Sequence, residues 1–187
     1  MIQGDFDKRK HDILSKTDKS SKGSWDKRIT LLCYMINSLE NYYTSSSCSG
    51  KAVLMIEQEK KSKDLFIKVY HDLISFKQIK EDLTDIKNKK LIKFKQEPCI
   101  LHIACKSLED AKKIYDKAKL SGWKKSGIIA SEKRFVVELN STERLEFPIL
   151  NNGKILVNDE FLKLIVKESN RKLKKSWEKI ERLMKSF

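Results

Sequence analysis

The sequence predicts an α+β protein: a single domain over residues 1–187, with a mixed β-sheet and a long C-terminal helix. Three observations predict it. Helical and strand-like stretches interleave without the regular strand–helix–strand alternation of a doubly wound fold. Hydrophobic residues make up 40% and charged residues 35% of the chain, a globular composition with a heavily charged surface. The six glycines are scattered and no Gly-x-Gly occurs, so the Gly-rich turn of a Rossmann-type fold is missing.

The elements follow in order. Residues 5–16 have a short helical pattern with Phe6, Ile13 and Leu14 as its apolar members. A polar stretch then breaks at Lys22-Gly23. Ser24 is suited to cap the next helix. That helix is marked by Trp25, Ile29, Leu32, Ile36 and Leu39 at spacings of three and four. Asp26 falls in its first turn, where a carboxylate meets the positive helix end. A serine-rich stretch follows. Residues 52–57 are an apolar run of the kind buried on both faces of a sheet. Leu65, Ile67 and Val69 then alternate with Phe66, Lys68 and Tyr70, and His71 leaves the strand on the Val69 face. His71 suits either a site or a structural hydrogen bond.

Residues 73–86 have helical spacing. Residues 91–106 contain two strands broken at Pro98. In the second, Cys99, Leu101, Ile103 and Cys105 share one face and Ile100, His102 and Ala104 the other. His102 reads as a hydrogen-bonded core residue rather than a ligand. Residues 108–120 form a helix with Ala111, Ile114, Tyr115 and Ala118 inward, closed by Ser121-Gly122. Residues 123–130 and 135–139 read as a hairpin around Ser131-Glu132-Lys133. Residues 145–149 and 155–157 read as another around Asn151-Asn152-Gly153. Asn158 or Asp159 caps the last helix, a basic tail over about 158–187. Its stripe is Leu162, Val166, Ser169, Leu173, Trp177, Ile180 and Met184. Its outer face is read to carry nine positive side chains, Lys179 among them, a surface suited to phosphates.

Charge points the same way. Lys and Arg number 40 against 26 Asp and Glu, a net +14. Such an excess favours polyanions, of which nucleic acid is the commonest inside cells. A generally lysine-rich surface is the plain alternative. Of the four cysteines, no pair has zinc-ribbon or redox spacing, and no metal site is expected. The polar N-terminus lacks a signal-peptide pattern, and no apolar run approaches a membrane span. The reading is a cytoplasmic protein with reduced thiols and no membrane or obligatory protein partner.

The stretch Tyr42-Tyr43-Thr44-Ser45-Ser46-Ser47-Cys48-Ser49-Gly50-Lys51 is the one place where small hydroxyl residues crowd together. It reads as a loop between helix and strand. Gly50 permits a tight turn. Hydroxyls, backbone N–H groups and Lys51 can all donate to a polar ligand. The usual phosphate-loop pattern is not met, because Ser45 stands at its first Gly and Ala52 at its Ser or Thr. An ordinary helix-to-strand connection accounts for the composition equally well.

A more specific signal lies in the order of short motifs. Ser20-Ser21-Lys22-Gly23-Ser24-Trp25-Asp26, then Asn37, then Thr44 to Lys51, resembles the tRNA wybutosine-synthesis methyltransferase family, the third enzyme of that pathway. The likeness continues through Tyr70-His71-Asp72, Phe94 to His102, Ser121 to Ile128, Pro148 and Asn170. It covers nearly the whole chain. Lys51 stands where the family has arginine, and Tyr70 where it usually has serine. Lysine keeps the charge and loses the bidentate geometry.

The resemblance implies an S-adenosylmethionine-dependent enzyme, not of the Rossmann type. Its substrate would be a wyosine precursor beside the anticodon of tRNA-Phe, methylated on ring nitrogen N4. Such chemistry needs donor and nitrogen held in register and a base for the departing proton. Asp26 and His71 are the candidate catalytic residues. Ser45, Ser46, Ser47, Cys48 and Gly50 are the candidate cofactor contacts. Lys22, Lys51 and Tyr43 are the candidate substrate contacts, with Tyr43 or a neighbouring aromatic stacking on a base splayed from the anticodon loop. The alternative is a non-catalytic RNA-binding module. A hydrolase using Cys48 with His71 is a third reading.

Overall fold

The computed structural model describes residues 3–15, 26–58, 65–131 and 134–187, and for 3, 4 and 131 the backbone alone. Packing divides the chain into two units. One comprises Met1–Ser49, Cys99–Thr142 and Ser176–Phe187, the other Gly50–Pro98 and Glu143–Lys175.

The first unit begins with α1 (Gln3–Leu14) and α2 (Lys27–Ser38). Asp26 is the N-cap of α2, in extended backbone, one position earlier than the first turn where its sequence position suggested it. Its carboxylate accepts the Arg28 N–H, satisfying one of the helix's orphan donors. Next come β1 (Tyr42–Cys48), β5 (Ile100–Cys105), α4 (Leu108–Leu120), β6 (Gly127–Ser131) and β7 (Arg134–Asn140). Ser107 caps α4, accepting the Asp110 N–H at 3.0 Å. Gly122 ends it at φ +93°. A Cβ there would meet the Lys179 side chain at 3.4 Å, an ordinary contact, so it is the positive φ that calls for glycine. The four strands form a sheet in the order β1-β5-β7-β6. One face holds the core: Leu101, Ile103, Val137 and Leu139 against Ile29, Leu32 and Ile36 of α2, Ile114 of α4 and Ile180.

The second unit holds β2 (Lys51–Ile56), β3 (Phe66–Tyr70), α3 (Phe76–Asp85), β4 (Ile92–Glu97), β8 (Leu145–Asn151) and β9 (Lys154–Ile155). Its sheet runs β3-β2-β4-β8-β9. Its core joins Ala52, Leu54, Ile92 and Phe94 to Ile79 and Leu83 of α3 and to Leu162 and Ile165. Asn152 at φ +50° and Gly153 at φ +73° make the β8–β9 turn, as Asn-Gly pairs do in tight hairpins. The last helix, α5 (Asp159–Met184), has residues 159–175 in this unit and 176–184 in the first. Asn158 caps it, accepting the Phe161 N–H at 2.9 Å. No helix among the described residues is long and apolar enough to cross a membrane.

The α+β class and the C-terminal helix agree with the sequence reading. The mixed sheet does not. Among the described residues there are two sheets, and every strand pairing is antiparallel. β1 and β2 are consecutive in sequence yet lie in different sheets, because positive-φ Gly50 breaks the chain's extended run between them. Sequence spacing locates strands without naming their partners. Lys179 is also corrected: it is 8% exposed and not on the outer face of α5. Its side chain runs past Gly122, and Nζ donates to Thr142 Oγ1 at 3.5 Å.

Candidate active site

In the first unit the two ends of α2 hold the two ends of β1. At the helix start, Asp26 Oδ1 accepts the Arg28 N–H at 3.2 Å and Oδ2 accepts the Ser49 N–H at 2.9 Å. At the helix end, Asn37 Oδ1 accepts the Thr44 N–H at 2.7 Å. The Thr44 N–H needs a side-chain partner because β1 is irregular there: its register with β5 shifts between Thr44 and Ser46. The Cys48 thiol lies within 4.8 Å of the Asp26 carboxylate.

The serine-rich stretch is therefore a strand, not a loop. Tyr42 to Cys48 pair with β5, and only Ser49 and Gly50 remain as a connection. Tyrosine and threonine fit a pleated strand well, and serine tolerates it. The strand turns its hydroxyls to opposite faces. Ser46 Oγ shares a 2.5 Å hydrogen bond with His102 Nδ1, and His102 Nε2 meets Glu138 at 2.9 Å. These three residues are direct cross-strand partners on β1, β5 and β7. Ser47 points the other way, and its hydroxyl, like that of Thr44, faces the Cys33 thiol. Ser45 sits at the bulge, exposed. A single wall of three hydroxyls facing one cofactor is thus not what Ser45, Ser46 and Ser47 form. His102 is hydrogen-bonded as expected, but half-buried on the outer face rather than in the core.

Burial raises the Cys33 thiol to about 11, against the pull of the Ser47 and Thr44 hydroxyls; Asp26 adds to the rise. Burial likewise raises Cys105 to about 12, reinforced by Asp110. Thiolates are scarce at both positions near neutral pH. None of the four cysteines is in a disulfide.

Tyr43 is 5% exposed and packs on Phe6, ring centroids 5.3 Å apart. Its ring is committed to the core, so it does not offer the stacking platform foreseen for it. Lys22 and Trp25 lie outside the described residues.

In the second unit, Gly50 has φ +98°, and Lys51 pairs with Glu97 at 3.4 Å. Lys95 reaches the same carboxylate at 3.2 Å. His71 follows β3 directly. It is half-buried, with Nδ1 shielded from solvent. The segment beyond it is clamped by α5: Asn170 Oδ1 accepts the Ile74 N–H at 3.0 Å, and its Nδ2 donates to the Ile74 carbonyl at 2.8 Å. Tyr70, just before His71, donates to Asp82 at 2.6 Å. Deeper in, Ser169 donates to Gln96 at 2.5 Å, both fully buried.

Asn37 and Asn170 carried no role in the residue reading, though both lie in the motif series. Each sits inside a helix, where asparagine competes with the backbone and contributes little propensity. That mismatch is the signal that these side chains serve a neighbouring backbone instead.

The fold is an α+β arrangement of two antiparallel sheets without a Gly-rich nucleotide turn, and its helix ends are used to hold polar strand ends. Comparison with known proteins defines it further. The family described as methyltransferase TYW3 matches residues 8–187. A Thermococcus sibiricus relative named tRNA(Phe) 7-((3-amino-3-carboxypropyl)-4-demethylwyosine(37)-N(4))-methyltransferase is 35% identical over 190 residues, covering 98% of this chain and 94% of its own. A Xenopus laevis relative named tRNA wybutosine-synthesizing protein 3 homolog is 34% identical over 185 residues, covering 95% of this chain and 72% of its own. The solved PH1069 protein of Pyrococcus horikoshii superposes with a TM-score of 0.88 at 33% identity, over 98% of this chain and 94% of that one. The chain belongs to the methyltransferase TYW3 family.

Proposed function

We propose that this protein transfers the methyl group of S-adenosylmethionine to ring nitrogen N4 of a 4-demethylwyosine-type base at nucleotide 37 of tRNA-Phe, in the anticodon loop. The observation that carries the reading is end-to-end similarity: 35% identity across 98% of the chain to a relative named for that reaction. The +14 charge supports an RNA substrate. The four reduced cysteines suit the cytoplasm.

When bound, S-adenosylmethionine supplies a methyl group on a sulfonium, an electrophile that needs no further activation. The protein's task is to hold the ring nitrogen in line and receive its proton. Asp26 and His71 are the groups we assign to that work. An imidazole ordinarily titrates near neutral pH and needs little tuning as a base. Asp26 is held by two backbone N–H groups, which fix the direction of its carboxylate. Gly50 and Cys48, with the backbone around Ser45 to Ser47, are assigned to the methyl donor. Lys51 and Lys22 are assigned to RNA phosphates as point charges.

The test is transfer of labelled methyl from S-adenosylmethionine to tRNA-Phe carrying the precursor. Label is expected in that RNA and not in tRNA-Phe lacking the tricyclic base. RNA binding without transfer would reduce the protein to an RNA-binding module and overturn the proposal.

A further inference from the structure

Five buried polar atoms among the described residues of the first unit have no hydrogen-bond partner: Ser49 Oγ, Asn140 Oδ1, Ser141 Oγ, Ser176 Oγ and Trp177 Nε1. The three serines are fully buried. Buried polar groups are nearly always paired in native proteins, so each such atom requires an explanation.

Asn140, next to Ser141, alternates to the other face of the sheet; the three serines and Trp177 fall at one end of the unit. Cys48 is opposite Ile100, and Ile100 is opposite Asn140. One step on, Ser49, Cys99 and Ser141 therefore form a row across β1, β5 and β7. The Ser141 N–H donates to the Cys99 carbonyl at 3.2 Å. Strand alternation puts this row on the core face, one level beyond Ser47, Leu101 and Leu139. α5 closes over it. Lys179 reaches Thr142, the residue after Ser141, and Ser176 lies one helical turn earlier on the same side. Trp177 lies under the Arg28 guanidinium, 3.6 Å from its ring centroid. The Arg28 and Ser49 backbone N–H groups share the Asp26 carboxylate. A chain of contacts thus runs from Trp177 through Arg28 and Asp26 to Ser49.

We infer that this row binds the amino-acid end of the methyl donor, an inference that rests on the function proposed above. Hydroxyls both donate and accept, and an indole N–H only donates. Together they match a ligand that carries a carboxylate and an ammonium on one carbon. The bordering charges are one of each sign, Asp26 and Arg28, as a zwitterion requires. The row is made of Ser49, Ser141, Ser176 and Trp177, not of Ser45 to Ser47, of which Ser46 is already hydrogen-bonded to His102.

The experiment is calorimetric titration of the full chain and its Ser141→Ala and Ser176→Ala variants. The probes are S-adenosylhomocysteine and methylthioadenosine, which lacks the amino-acid end. Each variant is expected to bind S-adenosylhomocysteine about tenfold more weakly or worse, as loss of a hydrogen bond to a charged group implies. Its affinity for methylthioadenosine stays within about twofold of wild type. Without ligand, neither variant should melt below wild type, because removing an unpartnered buried hydroxyl relieves a cost. Undiminished S-adenosylhomocysteine binding overturns the inference, as does equal loss of both ligands; internal water then accounts for the row. Failure of the wild-type protein to bind S-adenosylhomocysteine overturns the inference and the proposed cofactor together.

Discussion

Asp26 accepts the Ser49 backbone N–H at 2.9 Å through one carboxylate oxygen while the other oxygen caps its own helix. The two residues are 23 positions apart, so this contact ties the start of α2 to the end of β1. It also gives Asp26 a structural purpose that is independent of chemistry.

That double duty sets the first prediction. Asp26→Asn keeps one acceptor oxygen and turns an amide N–H toward the other donor. Stability should fall by about 1–2 kcal/mol, the usual value of an N-cap. Turnover should fall much further, by about 100-fold or more, as for a group that handles the proton. Urea denaturation and steady-state kinetics measure the two. A rise in KM for S-adenosylmethionine with kcat unchanged would instead assign Asp26 to gripping the donor. Parallel losses of stability and activity, with nothing further, would leave it a cap alone.

Asn37 carries the second. Asn37→Ala removes the acceptor for the Thr44 N–H, on a residue only 5% exposed. An orphaned buried donor costs about 1–3 kcal/mol. The urea midpoint should drop accordingly, and Asn37→Asp, which keeps an acceptor, should recover most of it. Equal destabilisation by both would contradict the geometry.

A third concerns the segment after β3. His71→Ala should abolish most turnover while leaving the melting temperature within a few degrees of wild type. Asn170→Ala, which frees Ile74 at both its N–H and its carbonyl, should lower both stability and kcat. Gln78→Ala on the exposed face of α3 serves as the control. Full activity in Asn170→Ala would show that the clamp on Ile74 does not position His71.

Alkaline pH gives the fourth. The Cys33 thiol is raised from 9.0 to about 11 in the folded protein. Between those values the unfolded chain has lost a proton that the folded protein keeps, so stability falls as pH rises. The protecting contribution is complete below pH 9 and lost through pH 11. Two pH units correspond to about 3 kcal/mol. Melting temperature should fall across this window, and less steeply in Cys33→Ala. Identical slopes in the two proteins would contradict the assignment.

Much of the fold was legible in the residues. The helix at 108–120 coincides with α4 because alanine and isoleucine spacing, Ser107 and Gly122 all agree on its ends. Asn152-Gly153 marked its hairpin for the same reason: turn chemistry is local. The serine stretch misled because composition favours a loop, whereas pairing with β5 decides for a strand. Lys179 reads as an outer-face residue by its charge, yet a lysine can lay its alkyl stem over Gly122 within the protein. At the candidate site, Asp26 and His71 stand out by residue type and motif, whereas the contacts of Asn37 and Asn170 depend on backbone groups 7 and 96 residues away. Such distances are invisible to any spacing rule.

The most direct test is to locate the methyl group itself. tRNA-Phe bearing the 4-demethylwyosine-type precursor is incubated with the protein and S-adenosylmethionine, digested to nucleosides and analysed by mass spectrometry. A tricyclic nucleoside one methyl heavier, with the added group on N4, is the expected product, and Asp26→Asn and His71→Ala should yield little of it. An unchanged precursor, or a methyl on any other nucleoside, would contradict the account.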